Sequence, residues 1–383
     1  MALAVSACAS VPEGPDGAPA PGAGLHLTPE RFAALPGWGE RETLPALSAL
    51  VQSCRRIASR PDDRAMNERA PYAGRAGDWR GVCAEAETLH ARGPDEAEAR
   101  RFFETRFTPM KVPGEGRLTG YYEPLVDVRR QPDTEYSMAI RAVPGGAFSG
   151  DLGQLIAEID APAAAAGPAD IRRPRREIET RQIGAPLAWG RPIDVFFLQI
   201  QGSGRLVFED GHQVRAAFAA HNDHPYVSIG RVLIDRGELD PNRASKQHIE
   251  DWLWRNGPDS WQPLFNENPR YVFFQLQPLH DHDLGPNGSQ GAPLTPMASI
   301  AVDPAYHAWG VPVFVEADIA DHPRWSGLVI AQDAGGAITG PVRGDLFYGW
   351  GHAAGDRAGR QNAMARWHVL LPNELAGRTR PLS

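Results

Sequence analysis

Cysteine is scarce in this sequence. Only Cys8, Cys54 and Cys83 occur in 383 residues, and none has the spacing of a zinc site or of a thiol nucleophile. Basic clusters are missing too. The net charge is −8 with no Lys/Arg-dense run, so the basic stripe of a nucleic-acid surface is excluded. No apolar run approaches the ~18 residues of a membrane span. What the chain has in plenty is glycine (40) and proline (35), which favour short strands with many turns over long helices. Hydrophobic residues at 42% and charged residues at 22% are ordinary for a globular protein. The length exceeds what one hydrophobic core usually serves, so two domains are expected.

The first residues read as an address. Met1 to Ala7 is short and apolar, and Val5-Ser6-Ala7-Cys8 places small residues before a cysteine. This resembles a bacterial lipoprotein processing site, with Cys8 lipidated. The positively charged segment of a full signal peptide is missing. Ala9 to Gly24, rich in Pro, Gly and Ala, suits a flexible tether. The alternative is an N-terminus with an incidental cysteine.

From about Thr28 to Phe107 the signals are helical. Leu47, Leu50, Val51, Cys54 and Ile57 share a helix face behind Thr43-Leu44-Pro45. Asp78 can cap a second helix carrying Cys83, and Pro94-Asp95-Glu96 opens a third. Cys54 and Cys83 either form a disulfide between two helices or stay reduced in the core.

From Gly116 the texture turns to strands. Leu118–Tyr122 is β-prone, Val195–Leu198 reads as a buried strand, and Asp210-Gly211 signals a hairpin turn. Helices are expected at roughly Val227–Arg236 and Ala244–Arg255. Pro162 to Pro168 reads as a surface loop. From Leu294 onward the chain reads as nearly all short strands and glycine turns.

Candidate chemistry gathers there. Asp303, Asp333 and Asp345 each follow or sit in a strand among glycines, where backbone turns tightly and a ligand can come close. Crowded, buried carboxylates resist ionisation, and a carboxyl group that keeps its proton is what general acid catalysis needs. An Asp beside a Gly is also the ordinary residue of a turn. His280, His282 and Asp283, on an expected Gly-rich loop, are the nearest thing to a metal cluster, and their spacing is unconvincing.

The motifs carry a resemblance. Val302-Asp303-Pro304, Asp333-Ala334-Gly335-Gly336-Ala337-Ile338 and Gly344-Asp345-Leu346-Phe347 resemble the small barrels named for three aspartates. With Leu118–Pro124, Phe197–Gly204, His224–Glu238, Asn268–Phe274 and Pro293–Pro296, the chain from about Gly116 to its end is similar to the membrane-bound lytic murein transglycosylase A family. Ala334 stands where Thr or Val is common. Trp309-Gly310-Val311 stands where a Pro-x-Gly-Thr type turn is expected.

The resemblance implies a mainly β protein with an N-terminal helical part. Residues 25–124 and 280–383 would form a double-psi β-barrel domain, and 125–279 a smaller inserted β-domain, with a groove between them. It implies cleavage of peptidoglycan glycan strands at the periplasmic face of the outer membrane or in the periplasm, by a monomer anchored through Cys8. Asp345 would be the acid–base residue, helped by Asp333 and Thr119. Tyr122, Gln199, Gln201, Ser203 and Asp303 would contact substrate. Gln199 and Gln201, two apart on the expected strand, would point the same way; the alternative is a solvent-facing polar side. No cofactor and no metal are expected. Other classes are an aspartic peptidase, which would need a second Asp-Thr/Ser-Gly-type loop that this chain lacks, a non-catalytic wall-binding lipoprotein, and a hydrolytic muramidase.

Overall fold

The computed structural model describes residues 25–40, 42–145, 168–241, 246–279 and 281–378. Cys8 and its tether, residues 162–167 of the Pro162–Pro168 patch, Ala244 and His280 lie outside them. In chain order the strands are β1 (Thr28–Pro29), β2 (Phe107–Lys111), β3 (Gly116–Glu123), β4 (Leu125–Arg129) and β5 (Met138–Arg141). They continue with β6 (Pro186–Gly190), β7 (Gly204–Val207), β8 (Gln213–His221) and β9 (Val272–Pro278). The last are β10 (Ser299–Val302), β11 (Pro312–Ile319), β12 (His322–Asp333), β13 (Arg343–Trp350) and β14 (Asn362–Pro372). The chain divides into two compact units.

One unit takes in the described residues up to Tyr121, then Asp283–Gly349, then the chain from Arg360. Its sheet runs β14-β11-β12-β10-β13-β3 and returns to β14, because Asn362–Ala365 of β14 also pair with Thr119–Gly116 of β3. The result is the expected barrel, closed by six strands, with β2 and β1 added beside the far end of β14. Strand β10 runs parallel to β12 and antiparallel to β13. All four residues of β10 are buried, as are Leu328–Gln332 of β12. That explains why these strands read as continuous apolar runs and not as alternating ones.

The helical block packs on this barrel unit. Helix Leu44–Ala58 buries Leu47, Leu50, Val51, Cys54 and Ile57, each at most 2% exposed. Its first turn is satisfied from a distance: the backbone N–H and hydroxyl of Thr43 donate to Glu96 Oε1, and Leu44 N–H donates to Glu96 Oε2. A carboxylate there meets both the orphan donors and the positive end of the helix. Helix Glu96–Arg106 starts with a capping box between Asp95 and Glu98. Cys54 is disulfide-bonded to Cys83 on helix Arg80–Ala91, which resolves the open choice. Asp78 does not cap that helix. It closes a short 3-10 turn, Ala76–Trp79, through the Arg75 N–H.

The other unit contains Tyr122–His282 and Trp350–Gly359. Its six-stranded sheet runs β5-β6-β4-β7-β8-β9, with β4 and β7 parallel. The Asp210-Gly211 hairpin joins β7 to β8, as expected. The Val195–Leu198 expectation fails: these residues lie in helix Pro192–Gln201. Pro192 opens the helix and Gly202, at φ 82°, ends it. Val195 and Leu198 face the sheet core, while Ile193, Phe196 and Phe197 pack with helices Ile229–Asp235, Lys246–Asn256 and Pro258–Phe265. A helix buried on two sides is apolar all round, and a short apolar run cannot distinguish it from a strand. A second correction concerns Gly351–Arg360, expected as strands and turns. It is helical, with Ala354 and Ala358 buried one turn apart, and β12 and β14 are long, at 12 and 11 residues. The fold is therefore mixed α/β, richer in helix than expected.

Candidate active site

Strand pairing explains why two of the aspartates meet. Ala301 of β10 is the register partner of Asp345 on one side and of Asp333 on the other. Adjacent strands lie about 4.8 Å apart, so one strand separates the two carboxyl-bearing residues. Thr119 and Tyr121, two apart on β3, share a face. Thr119 Oγ1 donates to Asp345 Oδ1, and Tyr121 Oη donates to Asp333 Oδ2 at 3.0 Å. One strand thus reaches both carboxyl groups.

Their surroundings differ. Asp333 Oδ1 accepts from the Ser289 N–H (2.9 Å), the Ser289 hydroxyl (2.8 Å) and the Ala334 N–H (2.8 Å). Both of its oxygens are therefore engaged. In Asp345, Oδ1 accepts from Thr119 and from Arg343 Nη1 at 2.7 Å, and Oδ2 has no hydrogen-bond partner among the described residues. The Asp345 side chain is 16% exposed. Burial raises the pKa of both carboxyl groups above the usual carboxylate range. At Asp345 this outweighs the Arg343 charge, and the Asp333 charge adds to it. At Asp333 burial outweighs the donors from Ser289, Ala334 and Tyr121. Tyr121 is held protonated by its own burial and by both aspartates.

The supports of this pair come from the helical block and from two glycines. Ser53 on helix Leu44–Ala58 donates to Gln290 (2.7 Å) and accepts from Gln332 (3.0 Å), which also takes a bond from Ser299 (2.5 Å). These partners are the chain neighbours of Ser289 and Asp333, so buried hydrogen bonds tie the helix to the carboxylate's cradle. A Cβ on Gly288 would stand 2.5 Å from the Gln332 carbonyl oxygen and 3.1 Å from Asp333 Cβ, so the Ser289 loop approaches only because Gly288 lacks one. At Gly344 a Cβ would meet Ile300 and Trp367 at 2.7 and 2.8 Å. That glycine serves core packing, not ligand approach as the sequence suggested. The family departures are locally harmless. Ala334 contributes its backbone N–H, and Trp309 Nε1 donates to the Asp333 carbonyl at 3.3 Å.

The remaining expected residues fall elsewhere. Asp303, 8% exposed, clasps loop backbone: Oδ1 accepts from Ala305 N–H (2.8 Å) and Oδ2 from Gly340 N–H (2.7 Å). Tyr122, Gln199, Gln201 and Ser203 belong to the other unit. Tyr122 Oη accepts from Lys246 Nζ at 3.4 Å. Gln199 is buried beside the Tyr271 hydroxyl, and Gln201 is half-buried at the end of its helix, so the strand argument for a shared direction does not apply. Ser203 Oγ accepts from the Phe218 N–H at 3.1 Å. Tyr121, Arg343 and Ser289 were missed. Period-two spacing from Thr119 and from Asp345 points to the first two; only the folded Gly288 turn brings in the third. Among the described residues no group of three or more His, Cys, Asp or Glu could hold a metal ion, and no helix is long and apolar enough to cross a membrane.

Comparison with known proteins is consistent along the chain. Residues 117–275 match the MltA specific insert domain, and 298–371 match the 3D domain. Membrane-bound lytic murein transglycosylase A of Vibrio cholerae is 31% identical over 264 residues, covering 67% of this chain and 66% of that protein, just under two thirds of its length. Its Escherichia coli counterpart is 31% identical over 272 residues, covering 69% and 68%. The crystal structure of a membrane-bound lytic murein transglycosylase from Agrobacterium tumefaciens superposes with a TM-score of 0.76 at 32% identity, covering 92% of this chain and 99% of that one.

Proposed function

Because the chain belongs to the membrane-bound lytic murein transglycosylase A family, we propose that it cleaves the β-1,4 bond between N-acetylmuramic acid and N-acetylglucosamine in peptidoglycan, forming a 1,6-anhydro end. The observation that carries this reading is the inequality of the two buried carboxyl groups. Asp345 has its pKa raised and Oδ2 without a hydrogen-bond partner among the described residues, while both oxygens of Asp333 are taken. A protonated Asp345 donates to the leaving glycosidic oxygen, and the resulting carboxylate then takes the proton from the C6 hydroxyl as that oxygen attacks C1. The nucleophile belongs to the substrate. Well-oriented intramolecular attack reaches effective molarities on the order of 10⁵ M or more, so no second carboxylate is required. Thr119 and Arg343 hold Asp345 in place, and Asp333 adds negative potential that favours the proton on Asp345 and positive charge on the sugar ring.

A hydrolytic muramidase normally uses a second carboxyl group as nucleophile or base. The donors around Asp333 argue against that role for it. The unit of the described residues up to Tyr121, Asp283–Gly349 and the chain from Arg360 serves in this proposal as the catalytic domain, in place of the expected 25–124 with 280–383. Tyr122–His282 with Trp350–Gly359 serves as the insert, in place of 125–279, and Cys8 as a lipid anchor at the outer membrane. Tyr122, Gln201 and Ser203 are proposed for sugar contacts, and Gln199, 4% exposed, is withdrawn from them because its amide is buried. Asp303 is reassigned to holding the loop. Digestion of purified peptidoglycan followed by mass analysis tests the reaction. The expected products end in 1,6-anhydro-N-acetylmuramic acid, one water lighter than hydrolysed ends; mainly reducing ends would move the protein to the hydrolases.

A further inference from the structure

The insert unit contains a cavity of about 690 Å³, within the roughly 300–1,000 Å³ of small-ligand sites. Its walls come from the start of β5, the first residues of helix Pro192–Gln201, and helices Lys246–Asn256 and Pro258–Phe265. Gln199 and Gln201 lie at the opposite end of helix Pro192–Gln201, roughly 10 Å away at 1.5 Å per residue. None of Tyr122, Gln199, Gln201 and Ser203 lines the cavity.

Two tryptophans mark its edge. Trp254 is 60% exposed, and the ring of Trp261 meets it edge-on, 5.2 Å between centroids at 85°. Trp261 is fixed by its Nε1–H, which donates to the Leu253 carbonyl at 2.7 Å. The charges in the wall balance, with Glu135 and Glu179 against Arg141 and Arg191. They are also already engaged. Arg191 pairs with Glu135 at 2.6 Å, Glu179 pairs with Arg175 at 3.2 Å and accepts from Gln262, and Arg141 donates to the Gly184 carbonyl at 2.9 Å. Such a wall offers little to an anion or a cation. Indole faces in a wall that also carries the amide of Gln182 and the side-chain carbonyl of Gln262, whose Nε2 is spent on Glu179 and Asn266, suit a neutral ligand with one apolar face and a rim of hydroxyl and acetamido groups.

We propose that this cavity binds β-1,4-linked N-acetylhexosamine units as a glycan site additional to the cleavage site. The identity of the glycan rests on the enzymatic reading above. A second contact on the same insoluble strand raises the effective concentration of enzyme at the wall without any new catalytic group.

The test is isothermal titration of the full chain carrying Asp345→Asn with N-acetylglucosamine hexamer. Two binding events are expected. Adding Trp254→Ala should abolish one, and adding Gln262→Ala instead should weaken the same one several-fold. Trp254 is exposed, so its truncation leaves no core cavity; circular dichroism checks the fold of each variant. A single event that Trp254→Ala leaves unchanged overturns the pocket and spares the enzymatic reading. No binding at all overturns both. Loss by Trp254→Ala of binding to a stem peptide, with hexamer binding intact, shows that the pocket reads peptide and overturns the glycan assignment.

Discussion

Each unit buries carboxylate, and the two do so in opposite ways. In the insert unit Glu123, 1% exposed, is held by two arginines: Arg205 Nε at 2.9 Å and Arg215 Nε at 2.5 Å. Arg205 in turn donates to the His282 carbonyl and lies 4.1 Å from the Trp350 ring centroid. In the barrel unit Asp345 shares one oxygen between Arg343 and Thr119, and the donors to Asp333 among the described residues are all uncharged. A buried charge set against opposite charge is a clamp, because removing one partner strands the charge of the other. A buried carboxyl group with too little compensation keeps its proton, and can therefore give it away. Burial alone therefore does not mark a proton-holding carboxyl group; the charge set against it does. Of the two in the barrel unit, Asp345 keeps one oxygen without a hydrogen-bond partner among the described residues, which is why it is the proposed acid.

The largest effect expected from breaking this contrast is chemical. Asp345→Asn keeps size and removes proton exchange, so turnover on peptidoglycan should fall by at least the ~10²–10⁴-fold typical of general acid–base catalysis. Asp333→Asn should be milder. A folded Asp345→Asn with near-normal turnover beside a dead Asp333→Asn would reverse the roles. On the clamp side the effect is structural. Glu123→Gln leaves two buried guanidinium groups without their carboxylate and should destabilise the insert unit by about 3–5 kcal/mol, read by urea denaturation; a loss under 1 kcal/mol would mean the cluster is hydrated.

The finest test tunes compensation itself. In the proposed mechanism the acid form of Asp345 is the active one, so turnover is expected to fall as pH rises through its pKa, with that limb shifted above the ordinary carboxylate range by burial. Arg343 lowers that pKa. Arg343→Gln removes the lowering influence, so the falling limb of the kcat profile should move to higher pH, whatever happens to its height. A limb that stays in place or moves to lower pH would break the link between Arg343 and the proton on Asp345.

The sequence by itself determined the local pieces of this molecule. Helix starts at Leu44 and Glu96, the Asp210-Gly211 hairpin, the strands that carry Thr119, Asp333 and Asp345, and the family motifs all depend on short-range chemistry. Helix face, turn residue and strand alternation act over a few residues and leave a mark there. What only the tertiary structure decided is where short-range signals conflict or vanish. The run Val195–Leu198 became helix because two cores needed its opposite sides. Asp345 and Asp333 became neighbours only through a register shared with Ala301. Cys54 found Cys83 across two packed helices. Ser289 reached Asp333 across 44 residues of chain. Contacts of that range depend on closing long loops, whose outcome the composition of either end does not encode, and the difference between a clamp and an acid is a matter of those contacts alone.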